Sequence, residues 1–332
     1  MTLLDYFRAR CSIDATVGDL GEFSLIERLV DQAGPVINEY ITIGSGDDAA
    51  EFIAKAPVLV SVDMLVEKRH FRRDWSSAVD VGRRAAAASL SDISAMGGKS
   101  LGLVVAFAAP GDLAAAWPVQ CTAGLIQEAQ AAGASIIGGD VTAAQEIVLS
   151  VTAFGVAPEG GAVKRSGAKA GNIVAVAGRL GWAAAGLALL MRGFRAPKAV
   201  VDAHRFPEVD YRWGPSAAAA GATAMIDVSD GLIADLRHVA EASGVRIELD
   251  VSALSPPEEL VSVASAFNVD PLEWITSGGD DHAIVATFDA KTKLPRGFTR
   301  IGSVEEVEPG EESGVYVKGR MVTNRGGHEH FR

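Results

Sequence analysis

Ala224-Met225-Ile226-Asp227-Val228-Ser229-Asp230-Gly231-Leu232 is the stretch on which the reading of this chain turns. Its first residues read as a strand ending at Asp227. Ser229-Asp230 then has the composition of a helix cap, for a helix running from Gly231 to about Ser243 and ended by Gly244. A strand, an acidic turn and a helix in succession are a unit of α/β structure. Asp beside Gly or Ser recurs at Gly46-Asp47-Asp48, Ser61-Val62-Asp63, Ser91-Asp92, Gly138-Gly139-Asp140 and Gly278-Gly279-Asp280-Asp281. Singly, each is a common turn. Folded together, they concentrate negative charge that demands a counter-charge, and carboxylate oxygens are what Mg²⁺ selects. The joint pattern points to a Mg²⁺–phosphate site drawn from both halves of the chain.

Outward from these turns, the 332 residues suffice for two domains of ordinary size, and 48% hydrophobic residues can fill their cores. A formal charge of −12 disfavours binding to nucleic acid or to an anionic membrane. Two cysteines, Cys11 and Cys121, make neither a disulfide framework nor a zinc pattern, and they fit a reducing cytoplasm. Asp5, Arg8 and Arg10 interrupt any apolar core of a signal peptide. The apolar run from Leu180 to Met191 is too short to span a bilayer.

Residues 1–20 read as a loosely attached extension. Glu22 to Val30 has helical periodicity, with Phe23, Ile26, Leu29 and Val30 on one face. Pro57 to Asp63 reads as a strand with Val58, Val60 and Val62 on one side and Leu59, Ser61 and Asp63 on the other. Ser77 with Asp80 forms a variant capping box for a helix that stops at Gly97-Gly98. Strands follow at 101–108 and 147–156, with a helix at 117–132 between them. Ser135-Ile136-Ile137 reads as a short strand delivering Gly138-Gly139-Asp140. Pro158 to Gly161 is the domain boundary, giving domains 1–158 and 159–332. The second has a strand at 173–177, an apolar helix at 181–192 and a polar connection through Pro197, Pro207 and Pro215. After the opening motif come strand 245–250, helix 257–267, strand 283–288 and a short strand pair near 301 and 315.

No Walker A sequence is present, and Gly178-Arg179-Leu180-Gly181 is not a phosphate cradle of that class. The aspartate series nevertheless resembles, in order and context, the thiamine-monophosphate kinase family. Its superfamily also holds aminoimidazole ribonucleotide synthetase and selenophosphate synthetase. The resemblance runs from Gly21-Glu22-Phe23-Ser24-Leu25-Ile26 through the acidic motifs, Val66-Glu67, His70-Phe71, Ala95-Met96-Gly97 and Arg165-Ser166-Gly167-Ala168. It continues through the opening motif with Asp235-Leu236, and ends at Gly327-His328-Glu329-His330-Phe331.

The resemblance implies transfer of the γ-phosphoryl group of ATP to thiamine monophosphate, the last step in making thiamine diphosphate. Carried over by position, Asp48, Ser61, Asp63, Asp92, Asp140, Asp227 and Asp230 become Mg²⁺ ligands, with Asp48, Asp227 and Asp230 at the centre of catalysis. Gly139, Asp140, Arg165 and Ser229 become ATP contacts. His70 and Asp280 become contacts to thiamine monophosphate, and His328 and Phe331 flank it, with Trp274 as a further ring. The implied fold has two α/β domains with mixed sheets, as in aminoimidazole ribonucleotide synthetase, the N-terminal halves of two subunits pairing into a β-barrel. A cytoplasmic homodimer with ATP between its halves is then expected. The implied mechanism is direct, with aspartates and no Ser–His or Cys–His pair.

The chain departs from the family at Asp280, where Glu is usual, and at His282-Ala283, where an aromatic and Glu are usual. His328 stands at an aromatic position and Val62 at a threonine. These departures leave two competitors, another enzyme of the superfamily and a nucleotide-binding protein without turnover. Selenophosphate synthetase requires a reactive Cys in a glycine-rich loop, and Cys11 lies in none.

Overall fold

The computed structural model describes residues 15–36 and 39–323. Two compact units result. One holds the described residues up to Leu90 together with Ser100–Val156; the other holds Ser91–Lys99 and the residues from Ala157 onward.

The first unit begins with helix α1 (Val17–Leu20), started by a full capping box between Thr16 and Asp19. The backbone N–H groups of Val17 and Gly18 donate to Leu113 and Gly111, and Leu20 is buried. Residues 15–20 are therefore docked against the unit, contrary to the loose extension read from their composition; Cys11 lies outside the described residues. Helix α2 (Glu22–Ala33) follows, then a small hairpin of β1 (Ile41–Ile43) and β2 (Glu51–Phe52) around the Gly46-Asp47-Asp48 turn. The sequence reading had no strands there.

Strands β3 (Val58–Val66), β4 (Lys99–Ala109), β5 (Ser135–Ala143) and β6 (Val148–Val156) form a four-stranded sheet in the order β3-β6-β4-β5. β3 and β6 are antiparallel, β4 and β5 parallel. The parallel pair is joined by helix α4 (Ala116–Ala131), and helix α3 (Ala78–Ala95) starts at the Ser77–Asp80 box, whose two bonds measure 2.8 and 3.2 Å. The alternation expected for β3 holds. Val58, Val60, Val62 and Met64 are 44, 58, 61 and 55% exposed, and the intervening residues are more covered. β5 is longer than expected and carries Gly138, Gly139 and Asp140 inside the strand instead of beyond its end.

The second unit is built on a seven-stranded sheet. Its strands are β7 (Asn172–Ala177), β8 (Ala224–Val228), β9 (Arg246–Leu249), β10 (Ala283–Asp289), β11 (Thr299–Glu305), β12 (Gly314–Val317) and β13 (Arg320–Met321), in the order β13-β12-β9-β11-β7-β10-β8. β7 is buried throughout, which is why Ile173 to Ala177 reads as a continuous apolar run. Ile173, Ala175, Met225, Ile284 and Phe288 share one core, where Phe288 meets Phe298 edge-on at 5.7 Å. The strands near 301 and 315 do not pair with each other: β9 lies between them, antiparallel to β11 and parallel to β12.

Helices α5 (Trp182–Met191), α6 (Lys198–Arg205), α7 (Trp213–Ala219), α8 (Leu232–Ser243), α9 (Glu258–Phe267) and α10 (Pro271–Ser277) complete this unit. The supposed polar connection thus contains two helices. Pro197 precedes α6 and Pro215 sits in the first turn of α7, positions where a missing N–H costs nothing. Gly244 ends α8 in the left-handed region, as its sequence demanded.

Candidate active site

In the second unit the acidic motifs converge around Asp227, the fourth residue of β8, which is 3% exposed. The loop Gly278–His282 is stitched to the end of β8: Asp280 N–H donates to Ser229 O at 2.8 Å, and His282 N–H donates to Val228 O at 2.9 Å. A Cβ on Gly279 would lie 2.2 Å from Ser229 O, so only glycine permits this approach. Asp280 and His282 both take positive φ, 67° and 51°, which turns the chain sharply before β10 begins.

Asp227 Oδ2 lies 3.1 Å from Ser91 Oγ and 2.9 Å from His282 Nδ1, and those two atoms are 2.9 Å apart. A Ser–His pair was not expected. It is not a nucleophile relay, because such a relay places serine and acid on opposite ring nitrogens. Here both meet Nδ1, and Ser91 is fully buried. Burial alone would depress the His282 imidazolium. The Asp227 hydrogen bond, with the charges of Asp227, Asp280 and Asp92, outweighs burial and lifts it to about 9.

Neither Ser229 nor Asp230 caps α8 with its side chain. Asp235, inside the helix and buried, reaches back: its Oδ2 accepts from Asp230 N–H at 3.1 Å and from Gly231 N–H at 3.0 Å. Burial raises this carboxyl, the charges of Asp227 and Asp230 add to the rise, and the two N–H donors oppose it; the result is about 7. Asp230, Asp235 and His238 have ligand atoms within 4.8 Å of one another. The sequence motifs give Asp235 no role and do not mark Ser91, His238, Asp281 or His282 as working residues. The signal for His238 was its i,i+3 spacing from Asp235 on the helix.

Asp281 serves a different end. It is buried, and its oxygens accept from Gly181 N–H at 2.5 Å and Ala183 N–H at 2.9 Å. It therefore caps α5, whose own N-cap Gly181 has no side chain to do so. Burial raises its carboxyl to about 7 against those two donors. Arg165 is exposed, and Trp274 is half-buried on α10.

In the first unit, Asp47, Asp48, Gly139 and Asp140 line one cavity of about 870 Å³. Its walls are largely apolar: Phe23, Ile26, Leu29 and Val30 from the shared face of α2, and Cys121 and Leu125 from α4. Gly139 admits β4 closely, since a Cβ there would sit 2.3 Å from Val105 O. Asp47 Oδ1 accepts from Asp48 N–H at 2.9 Å, which shapes the turn. Ser61 and Asp63 lie on the more covered face of β3, and Ser89 Oγ is 2.9 Å from Asp63 Oδ2. His70 Nδ1 accepts from Val66 N–H at 3.0 Å, so the neutral ring carries its proton on Nε2. His328 and Phe331 fall outside the described residues.

Comparison with known proteins follows the same lines. A family model described as AIR synthase related protein, N-terminal domain, matches residues 46–157. The chain is 46% identical over 291 residues to a thiamine-monophosphate kinase of Mycobacterium tuberculosis (strain CDC 1551 / Oshkosh), covering 87% of this chain and 86% of that one. It is 32% identical over 333 residues to the thiamine-monophosphate kinase of Bacillus subtilis (strain 168), covering 94% of this chain and 100% of the other. A solved structure described as "AaThiL complexed with AMPPCP and TMP" superposes with a TM-score of 0.77 at 30% identity, covering 96% of this chain and 100% of that one.

Proposed function

The chain belongs to the thiamine-monophosphate kinase family, and on that premise we propose how it phosphorylates thiamine monophosphate with ATP. The observation that carries the reading is the convergence of Asp227, Asp230 and Asp235, close enough that the charges of the first two raise the buried Asp235 carboxyl. Such a set of hard oxygen donors fits Mg²⁺. Asp227, Asp230 and Asp92 in one unit, and Asp48, Ser61, Asp63 and Asp140 in the other, are the proposed ligands. Bound Mg²⁺ supplies the positive charge that lets two polyanions approach and aligns them for in-line transfer.

The acceptor is a phosphate oxygen. A phosphate monoester has its second pKa near 6, so that oxygen is anionic at neutral pH and requires no general base. That agrees with a buried Ser91 that cannot reach a substrate. We assign ATP contacts to Gly139, Asp140, Arg165 and Ser229. The apolar walls of the 870 Å³ cavity support a heterocyclic base there, with Asp48 and Asp140 toward its phosphates. The complex of a family member with AMPPCP and TMP supports this pairing of substrates. His70 and Asp280, with His328 and Phe331 beyond the described residues, are proposed for the thiamine monophosphate side.

We also propose a cytoplasmic homodimer paired through residues 1–158. β3 is an edge strand, and its row of Val58, Val60, Val62 and Met64 faces solvent, an arrangement that invites a partner sheet. Val60→Lys is expected to shift the protein from dimer to monomer in sedimentation velocity. An unchanged dimer would put the interface elsewhere.

The activity is tested by incubating the protein with thiamine monophosphate, ATP and Mg²⁺ under phosphorus NMR. Thiamine diphosphate and ADP are expected in equal amounts. ATP binding without turnover would replace this reading with a non-catalytic one. A phosphorylated protein intermediate would exclude direct transfer.

A further inference from the structure

Asp227 has two oxygens, and they are treated differently. Both hydrogen-bond contacts, from Ser91 Oγ at 3.1 Å and His282 Nδ1 at 2.9 Å, fall on Oδ2. Oδ1 accepts no hydrogen bond from the described residues. Oδ2 is an acceptor only, so Nδ1 must carry a proton; an unprotonated Nδ1 would set a lone pair against the carboxylate. Ser91 has one hydroxyl proton and can spend it on Oδ2. Two donors from separate elements, the end of α3 and the turn before β10, therefore hold one oxygen. Ser91 and His282 are both buried, which keeps water from competing.

The backbone is shaped for this contact. His282 takes φ 51° while its N–H stays bonded to Val228 O. That turn precedes the antiparallel pairing of Ala283 with Val228 and of Ile284 with Asp227. The ring is thereby placed beside the carboxylate of the neighbouring strand.

We propose that Ser91 and His282 are positioning residues for Asp227, binding Oδ2 so that Oδ1 is presented to the divalent cation. This rests on Asp227 being a Mg²⁺ ligand, as proposed above. It also gives His282 a specific task at a position where this chain departs from its family. Groups that orient a metal ligand typically change metal affinity by about 10- to 100-fold when removed.

The test titrates Mn²⁺ alone into the full-length protein and follows the free-ion EPR signal, with circular dichroism melts as a check on folding. His282→Leu removes the donor and is expected to weaken the tightest Mn²⁺ binding by about 10- to 100-fold. His282→Asn puts an amide N–H where Nδ1–H stood and is expected to retain most of the affinity. Ser91→Ala, the smallest perturbation of the core, is expected to weaken binding by a lesser factor. In steady-state assays the Leu variant raises the Mg²⁺ concentration needed for half-maximal rate, and the Asn variant restores it. Equal loss in the Asn and Leu variants would show that the ring matters only for packing and would overturn the proposal. Unchanged Mn²⁺ affinity in all three would overturn it as well. Absence of Mn²⁺ binding by the wild-type protein would overturn the metal reading itself, and the proposal with it.

Discussion

Asp230→Ala is expected to lower kcat on the order of 10³-fold or more without destabilising the metal-free protein. The activity loss follows from removing a proposed Mg²⁺ ligand, and with it the cation's charge beside the transferring phosphoryl group, where one electrostatic contact is worth roughly that factor. The stability expectation follows from geometry. The Asp230 side chain makes no hydrogen bond with the described residues; only its backbone N–H is used, by Asp235 at 3.1 Å. Alanine keeps that N–H. The variant also loses a charge that raises Asp235, so the buried carboxyl is relieved. Turnover by ADP release and Tm without Mg²⁺ decide the matter together. A variant that is inactive and also melts well below wild type would mean that folding, not catalysis, had failed.

Asp281→Ala is expected to cost about 3–5 kcal/mol of stability, since it leaves two buried N–H groups at the head of α5 without an acceptor. Asp281→Asn retains one acceptor and should cost less. The pair also makes a pH test. Burial raises the folded Asp281 to about 7, above the unfolded value near 4. Between those values the folded protein holds a proton that the unfolded chain has released. Stability from this group is thus fully present below about pH 4 and declines as pH rises toward about 7. Urea unfolding of wild type and Asp281→Asn from pH 5 to pH 8 should show the wild type losing stability more steeply. Parallel profiles would mean that Asp281 is ionised throughout.

Local signals were legible in the sequence wherever the physics is local. Alternation along β3, the Ser77–Asp80 box and the glycine ending α8 depend on neighbours a few residues away. The acidic motifs were legible as a set, because carboxylates beside glycines mean the same thing in any order of folding. What escaped was non-local. Asp281 caps a helix that begins a hundred residues earlier, and nothing in Gly-Gly-Asp-Asp tells the second carboxylate from the first. Ser91 and His282 meet across 191 positions. β9 enters between β11 and β12 because sheet order is set by packing, not by proximity in the chain. Helices α6 and α7 hid behind prolines that merely occupy their starts.

The internal cap of α8 has a consequence for how such a protein changes over generations. Asp235 anchors the helix from within, so Ser229 and Asp230 owe nothing to the fold through their side chains. Selection for folding and selection for chemistry then act on different residues. A duplicated copy could lose Asp230 and persist as a well-folded protein, free to drift toward another phosphate or toward binding alone. The mutational signature would be a tolerant Ser229–Asp230 and an intolerant Asp235 when abundance is scored, with none of the three tolerant when growth depends on the kinase.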